Sequence, residues 1–197
     1  MPRSTAAWAA MPGELRAGGA AAALAVGAAA AAVLGGAFSA PSGPEPLTRS
    51  APVALAVDAI GVRARVLEMG LGEDGAMEDP PLEDTGAAGW YALGPAPGEA
   101  GPAVITGHRD TATGPSVFLR LEELRPGDRF TVRREDGTAP EFEVERTKRV
   151  GKDAFPAEEV YGPGDRPEIR LITCAGDFDP ATGHYEENLI VFGRMVE

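Results

Sequence analysis

The sequence predicts an all-β domain, an antiparallel barrel or sandwich, placed behind one N-terminal membrane-spanning helix. Three observations carry this. Residues 17–40 contain no charge. From Val53 onward, short alternating or apolar runs are broken by Gly, Pro and Asp-Gly turns. Only one stretch has helical spacing, and no strand-helix-strand rhythm occurs.

In chain order, residues 1–16 read as a cytoplasmic N-terminus and 17–40 as a transmembrane signal anchor. About 20 mostly apolar residues cross a bilayer, and the Ala- and Gly-rich span takes its hydrophobicity from Leu24, Val26, Val33, Leu34 and Phe38. Arg3 and Arg16 precede it and no Lys or Arg follows before Arg49. The positive-inside bias therefore places everything after Ala40 outside the cell, in a single-pass cell-membrane protein. Ala37 and Ser39 also fit a signal-peptide cleavage site, which gives the same compartment. Residues 41–52 read as a Pro/Ser-rich linker, and 53–197 as one domain.

Within that domain, Val53–Val66, Gly101–Gly107, Arg129–Val132, Glu141–Arg146, Glu168–Cys174 and Asn188–Gly193 read as strands. Phe130/Val132 and Phe142/Val144 flank Asp136-Gly137 as a hairpin with one buried face. The helical spacing belongs to Ser116–Leu124, which Pro126-Gly127 stops.

The net charge of −12 argues against nucleic acid and against docking on anionic lipid, both of which need clustered Lys and Arg. The chemistry is sparse: one Cys, two His, and Asp, Asn and Arg around them. No set of four Cys/His ligands exists for structural zinc and no phosphate loop opens a helix, so neither metal nor cofactor is expected. Exported small domains usually pair their cysteines. Cys174, the lone thiol, ends an apolar strand and is followed by Ala175-Gly176-Asp177. His108 stands likewise where the strand AVIT gives way to GHRD. An isolated Cys is also readily a buried inert side chain, and an isolated His an ordinary loop residue. Together, both at strand ends of an exported β domain, they point to a nucleophile and base.

TGHRD and LITCAGDFDPATGHYEENLIVFG resemble the sortases, specifically the class F enzymes of actinobacteria, with class E as the near alternative. VDAIGVRARV, GEDGAMEDP, GAAGWYALGPAPGEAGPAVITGHRD, VFLRLEELRPGDRFTV and KDAFPAEEVYG resemble consecutive segments of that family, so the likeness covers Val53 to Val196. It implies an eight-stranded antiparallel β-barrel with short helices, held at the outer face of the membrane by its N-terminal helix. It also implies a monomeric cysteine transpeptidase that cleaves a Leu-Pro-x-Thr-Gly-like sorting signal. The acyl group would pass to an amine on a peptidoglycan precursor or a pilin lysine. On this likeness Cys174, matching a Thr-x-Thr-Cys-like strand end, is the nucleophile and His108 the general acid and base. Nothing resembles the acidic calcium site that some sortases carry.

One feature departs from the family. Sortases use an arginine downstream of the Cys to orient the peptide and stabilise the oxyanion, and here none lies between Cys174 and Arg194. Asn188 stands where many members carry it, and Arg109 beside His108 is the second candidate. Arg170 shares strand parity with Cys174 but reads as a barrel-surface charge; Arg194 is too far along its strand, at about 3.3 Å per residue.

Asp110 reads as a turn residue, His184 and Tyr185 as loop lining, and Trp90 and Tyr91 as core rather than groove wall. Phe178 is the aromatic expected to touch substrate. The order His before Cys, with Cys after a strand, disfavours papain-like hydrolases, and a Ser-x-Gly-Cys motif with adjacent Arg, needed for an L,D-transpeptidase, is absent. A catalytically weak or inactive sortase-like module that binds peptides is the remaining alternative.

Overall fold

The structure, a computed structural model, describes residues 43–73 and 75–197. The span expected over residues 17–40 lies outside these. Among the described residues no helix is long and apolar enough to cross a membrane.

The run Val53–Val66 forms two strands, β1 (Pro52–Val57) and β2 (Val62–Met69), reversed by a 3-10 turn at Asp58–Ile60. Gly61 closes that turn at φ 70°, a conformation that costs glycine little because it has no Cβ. There follow β3 (Ala87–Tyr91), β4 (Gly101–Thr106), a minimal hairpin of β5 (Asp110–Thr111) and β6 (Gly114–Pro115), and β7 (Arg129–Arg134). Next come β8 (Glu141–Gly151), a 3-10 turn at Lys152–Ala154, the short helix α1 (Ala157–Tyr161), β9 (Pro167–Asp179) and β10 (His184–Met195).

The helix expected over Ser116–Leu124 is instead a series of turns with one 3-10 segment at Leu121–Glu123. Phe118, Leu121 and Leu124 are its buried residues, and their spacing of three matches the three residues per turn of a 3-10 helix. All three plug the main core.

Eight strands close a barrel in the order β1-β2-β3-β4-β9-β10-β8-β7, and β7 pairs back onto β1. The wholly antiparallel barrel expected from the sequence is corrected here, because β2 with β3 and β4 with β9 run parallel. A parallel pair needs a long crossover connection. Residues 70–86 supply the first, and everything between β4 and β9 supplies the second. Burial reflects this: β3 and β4 are covered at every position, as parallel strands with both faces packed require.

Two apolar clusters lie on opposite faces of the β4-β9-β10 wall. Ala103, Ile105, Ile169, Leu171, Leu189 and Val191 point into the barrel. Val104, Ile172, Ile190 and Phe192, at the alternate positions, pack outside it with Met77, Tyr91 and Val160 of α1. Trp90 is in the barrel core and donates Nε1–H to the Pro95 carbonyl at 3.0 Å. The segment before β1 is held against the barrel. Arg49 donates to the Ala92 and Gly94 carbonyls and lies 5.2 Å from the Trp90 ring centroid, and the fully buried Arg134 reaches the Thr48 and Pro97 carbonyls.

β9 does not end at Cys174, as expected from the sequence, but runs on to Asp179. The pairing of β9 with β10 slips by one residue between Glu187↔Ala175 and Tyr185↔Phe178, and Gly176 sits there at φ 78°. This is a bulge with glycine in the left-handed position. A Cβ on Gly176 would lie 2.8 Å from Glu187 Cγ. Gly176→Ala is therefore expected to lower unfolding stability by about 1–2 kcal/mol and to reduce activity as the bulge shifts. An unchanged urea midpoint and an unchanged rate would show that the bulge conformation is not needed.

Candidate active site

The outer face of the wall carries the site, and the strand register assembles it. β4 pairs in parallel with β9 as far as Thr106↔Ile172. Two further bonds extend the ladder: Gly107 N–H to the Ile172 carbonyl at 3.1 Å, and Thr173 Oγ1 to the Gly107 carbonyl at 2.8 Å. Continuing that register by two residues brings His108 level with Cys174. On the other side Asn188 of β10 pairs directly with Cys174, and Val150 of β8 with Asn188. Directly opposed residues share a face. Cys174, Asn188 and Val150 thus form one row across β9, β10 and β8 on the outside of the barrel, and His108, two residues past the end of β4, continues it.

Gly107 must be glycine for this row to form. A Cβ there would lie 2.6 Å from Phe118 Cδ2 and 2.8 Å from Val117 Cγ1, so any side chain would push the His108 loop off the core.

Above the row is a cleft of about 490 Å³, whose lining includes His108, Arg109, Lys152, Cys174, Phe178 and Tyr185. Cys174 is half-buried and unpaired. Burial pushes its thiol above the ordinary value; the Lys152 cation pulls it down, Asp79 and Asp110 add to the rise, and Arg109 opposes them. Cys174 therefore rests as a thiol, which would have to lose its proton before it could act as a nucleophile. His108 Nε2 lies 2.7 Å from the Pro80 carbonyl. A carbonyl only accepts, so Nε2 carries the hydrogen and Nδ1 is the acceptor of the neutral ring.

Asn188 is 1% exposed, and its Nδ2 has no hydrogen-bond partner among the described residues. Thr106 Oγ1, two residues before His108 and on the same parity, is similarly unpartnered. Buried polar groups normally find partners. These two groups near Cys174 retain hydrogen-bonding capacity that a water or a ligand atom could take up.

One wall of the cleft is aromatic. Phe178, 53% exposed, meets Tyr185 edge-on with ring centroids 5.3 Å apart. Tyr185 donates its hydroxyl to Asp110 Oδ2 at 2.5 Å, and the Arg109 guanidinium lies 5.8 Å from the Tyr185 ring centroid. Asp110, expected as a turn residue, thus ties the His108 loop to β10. Phe178→Ala is expected to raise the KM for a peptide substrate roughly tenfold, about 1.4 kcal/mol, with kcat little changed. Equal steady-state constants for the two proteins would exclude Phe178 from the substrate surface.

The basic residues named from the sequence separate clearly. Arg109 lines the cleft but faces Glu122 at 3.5 Å. Arg170 is not the surface charge expected: it is 7% exposed, paired with Glu168 at 2.5 Å and stacked 4.7 Å from the Phe192 centroid. Arg194 pairs with Glu143 at 2.9 Å, six strand positions and so about 20 Å from Asn188. His184 lines the cleft, whereas Trp90 and Tyr91 do not. Among the described residues no group of three or more His, Cys, Asp or Glu could hold a metal ion.

Lys152 and Leu82, which also line the cleft, went unrecognised in the sequence. Lys152 has a retrospective signal, because it continues the outward parity of Val150. That parity becomes readable only once β8 extends to Gly151.

The sortase domain model matches residues 55–196. Among solved structures, sortase C1 of Streptococcus agalactiae in complex with MTSET is 20% identical, with TM-score 0.56, covering 73% of this chain and 66% of that one. Sortase C-1 of Actinomyces oris is 23% identical, with TM-score 0.58 and coverage of 74% and 75%. Sortase A of Corynebacterium diphtheriae is 19% identical, with TM-score 0.58 and coverage of 76% and 62%. The chain spans just under two thirds of the Streptococcus and Corynebacterium proteins. No curated protein matches.

Proposed function

Because the chain belongs to the sortase family, we propose that it is a cysteine transpeptidase that cuts a Leu-Pro-x-Thr-Gly-like sorting signal and transfers the protein to a cell-envelope amine. The observation that carries this reading is the placement of His108 and Cys174, 66 residues apart in sequence, on one row beneath one cleft.

The chemistry follows from the groups present. Cys174 gives its proton to Nδ1 of His108, and the thiolate attacks the carbonyl carbon before the scissile bond. The C=O electron pair moves onto oxygen. When the tetrahedral adduct collapses, the C–N bond breaks and His108 protonates the departing amine, leaving a thioester on Cys174. An acceptor amine then attacks the thioester, loses a proton to His108 and expels the thiolate, which takes that proton back. Water in place of the amine gives hydrolysis.

The finer assignment is a class F enzyme, with class E as its alternative, and it rests on the segments around His108 and Cys174 and on Asn188 opposite the nucleophile. We also place it as a monomer in the cell membrane, anchored through residues 17–40 with the barrel outside, on the strength of that uncharged span and of Arg3 and Arg16 before it.

The test is intact-protein mass spectrometry after incubation with a library of Leu-Pro-x-Thr-Gly-like peptides. An adduct carrying the N-terminal part of a peptide is the expected result. A folded domain that binds peptides yet never forms the adduct would leave the non-catalytic binding module in its place.

A further inference from the structure

The reaction places a negative oxygen beside Cys174, yet the chain has no arginine where a cationic donor would be expected. Arg170 and Arg194 are both paired to carboxylates away from the cleft. Arg109 borders the cleft at its aromatic wall, against Glu122 and Tyr185. Lys152 lines the same cleft as Cys174.

Its position is set by the sheet. Val150, Asn188 and Cys174 form one row across β8, β10 and β9, about 10 Å from end to end at two strand spacings. Gly151 ends β8, and Lys152 opens the 3-10 turn that follows, two residues past Val150 on the same outward parity. A flexible four-carbon stem carrying an ammonium begins there on the β8 side of the row, with His108 on the β4 side. Between them lies Asn188, whose buried Nδ2 lacks a partner.

Resting on the transpeptidase reading above, we infer that Lys152 supplies the positive charge of the oxyanion site. Its ammonium donates to the oxygen that becomes negative when Cys174 attacks, above the buried Asn188, which does not itself line the cleft. The nucleophile thus receives its proton acceptor from one side of the sheet and its oxyanion donor from the other. The inferred pull of the Lys152 charge on the Cys174 thiol agrees with this placement.

The test compares wild type, Lys152→Met and Lys152→Arg, all with residues 43–197 in the intact chain. Steady-state transpeptidation of a sorting peptide onto a small amine is measured, alongside alkylation of Cys174 by iodoacetamide without peptide. Removing an oxyanion donor costs about 10²–10³ in kcat, so Lys152→Met is expected to lose about 10²-fold in kcat with KM within a few-fold. Lys152→Arg should recover most of that loss. Alkylation of the Met variant at neutral pH should slow, because the thiol loses its nearby cation.

A Met variant with wild-type kcat overturns the assignment while leaving the transpeptidase reading intact. A change confined to KM also overturns it, since that places Lys152 on the ground-state peptide alone. If wild type forms no thioester with any peptide, the transpeptidase reading fails and this assignment falls with it.

Discussion

Cys174→Ala is expected to remove every trace of the peptide adduct and to lower transpeptidation by at least about 10⁴-fold, as loss of a catalytic nucleophile does. The fold should survive. Cys174 is a half-buried side chain that makes no disulfide, and the barrel interior is built by its neighbours Thr173 and Ala175. The unfolding midpoint should therefore shift by no more than about 1 kcal/mol equivalent. Cys174 is also the only cysteine, so alkylation with iodoacetamide reports on it alone. Burial raises the thiol's proton affinity, so in the wild type without peptide the alkylation rate should keep climbing as pH rises past the ordinary thiol range. A rate that levels off near neutrality would mean a thiolate already formed at rest. An adduct persisting in Cys174→Ala would reject the nucleophile assignment.

His108→Gln is the second large effect, with an expected loss of about 10²–10⁴ in kcat, the range for removing a general acid and base. Glutamine can still donate an N–H to the Pro80 carbonyl that now holds His108 Nε2, so the segment bearing Pro80 need not move. What disappears is the group that accepts the thiol proton and returns it to the leaving amine. The loss should therefore depend on the leaving group. A peptide amide should be affected most, whereas an activated ester of the same acyl sequence, whose leaving group departs without protonation, should recover much of the rate. Equal losses on both substrates would assign His108 to thiol deprotonation alone. Amide turnover within tenfold of wild type would reject its role as acid.

Local pattern made several features legible. Alternation of apolar residues identified six strand regions, and the lone Cys and the His at the end of AVIT were singled out as the candidate reactive pair before any pairing was known. Asn188 was singled out from the family pattern as standing where many members carry the arginine, and the strand register adds that it pairs with Cys174. Other features were illegible for stated reasons. β9 read as ending at Cys174 because Gly176 looks like a terminator, whereas at φ 78° it makes a bulge that lets pairing resume. Ser116–Leu124 read as α-helical because a spacing of three is close to 3.6, and the barrel core selected the tighter turn. Arg170 read as a surface charge because its cover, Phe192 and the carbonyl of Glu159, comes from distant parts of the chain.

By itself the sequence determined most of the strand-forming segments, though not β3, that the domain is a β structure with a likeness to sortases, and which thiol and imidazole are the candidates for the chemistry. These properties are written in residue type and in spacing over a few positions. Only the tertiary structure decided strand order, the two parallel ladders, and the row that joins His108, Cys174 and Asn188 and leads on to Lys152. The reason is physical: inward-outward alternation states which face a residue occupies but not which strand lies beside it. That choice is made by the closure of the barrel and the burial of two apolar clusters on opposite faces of one wall.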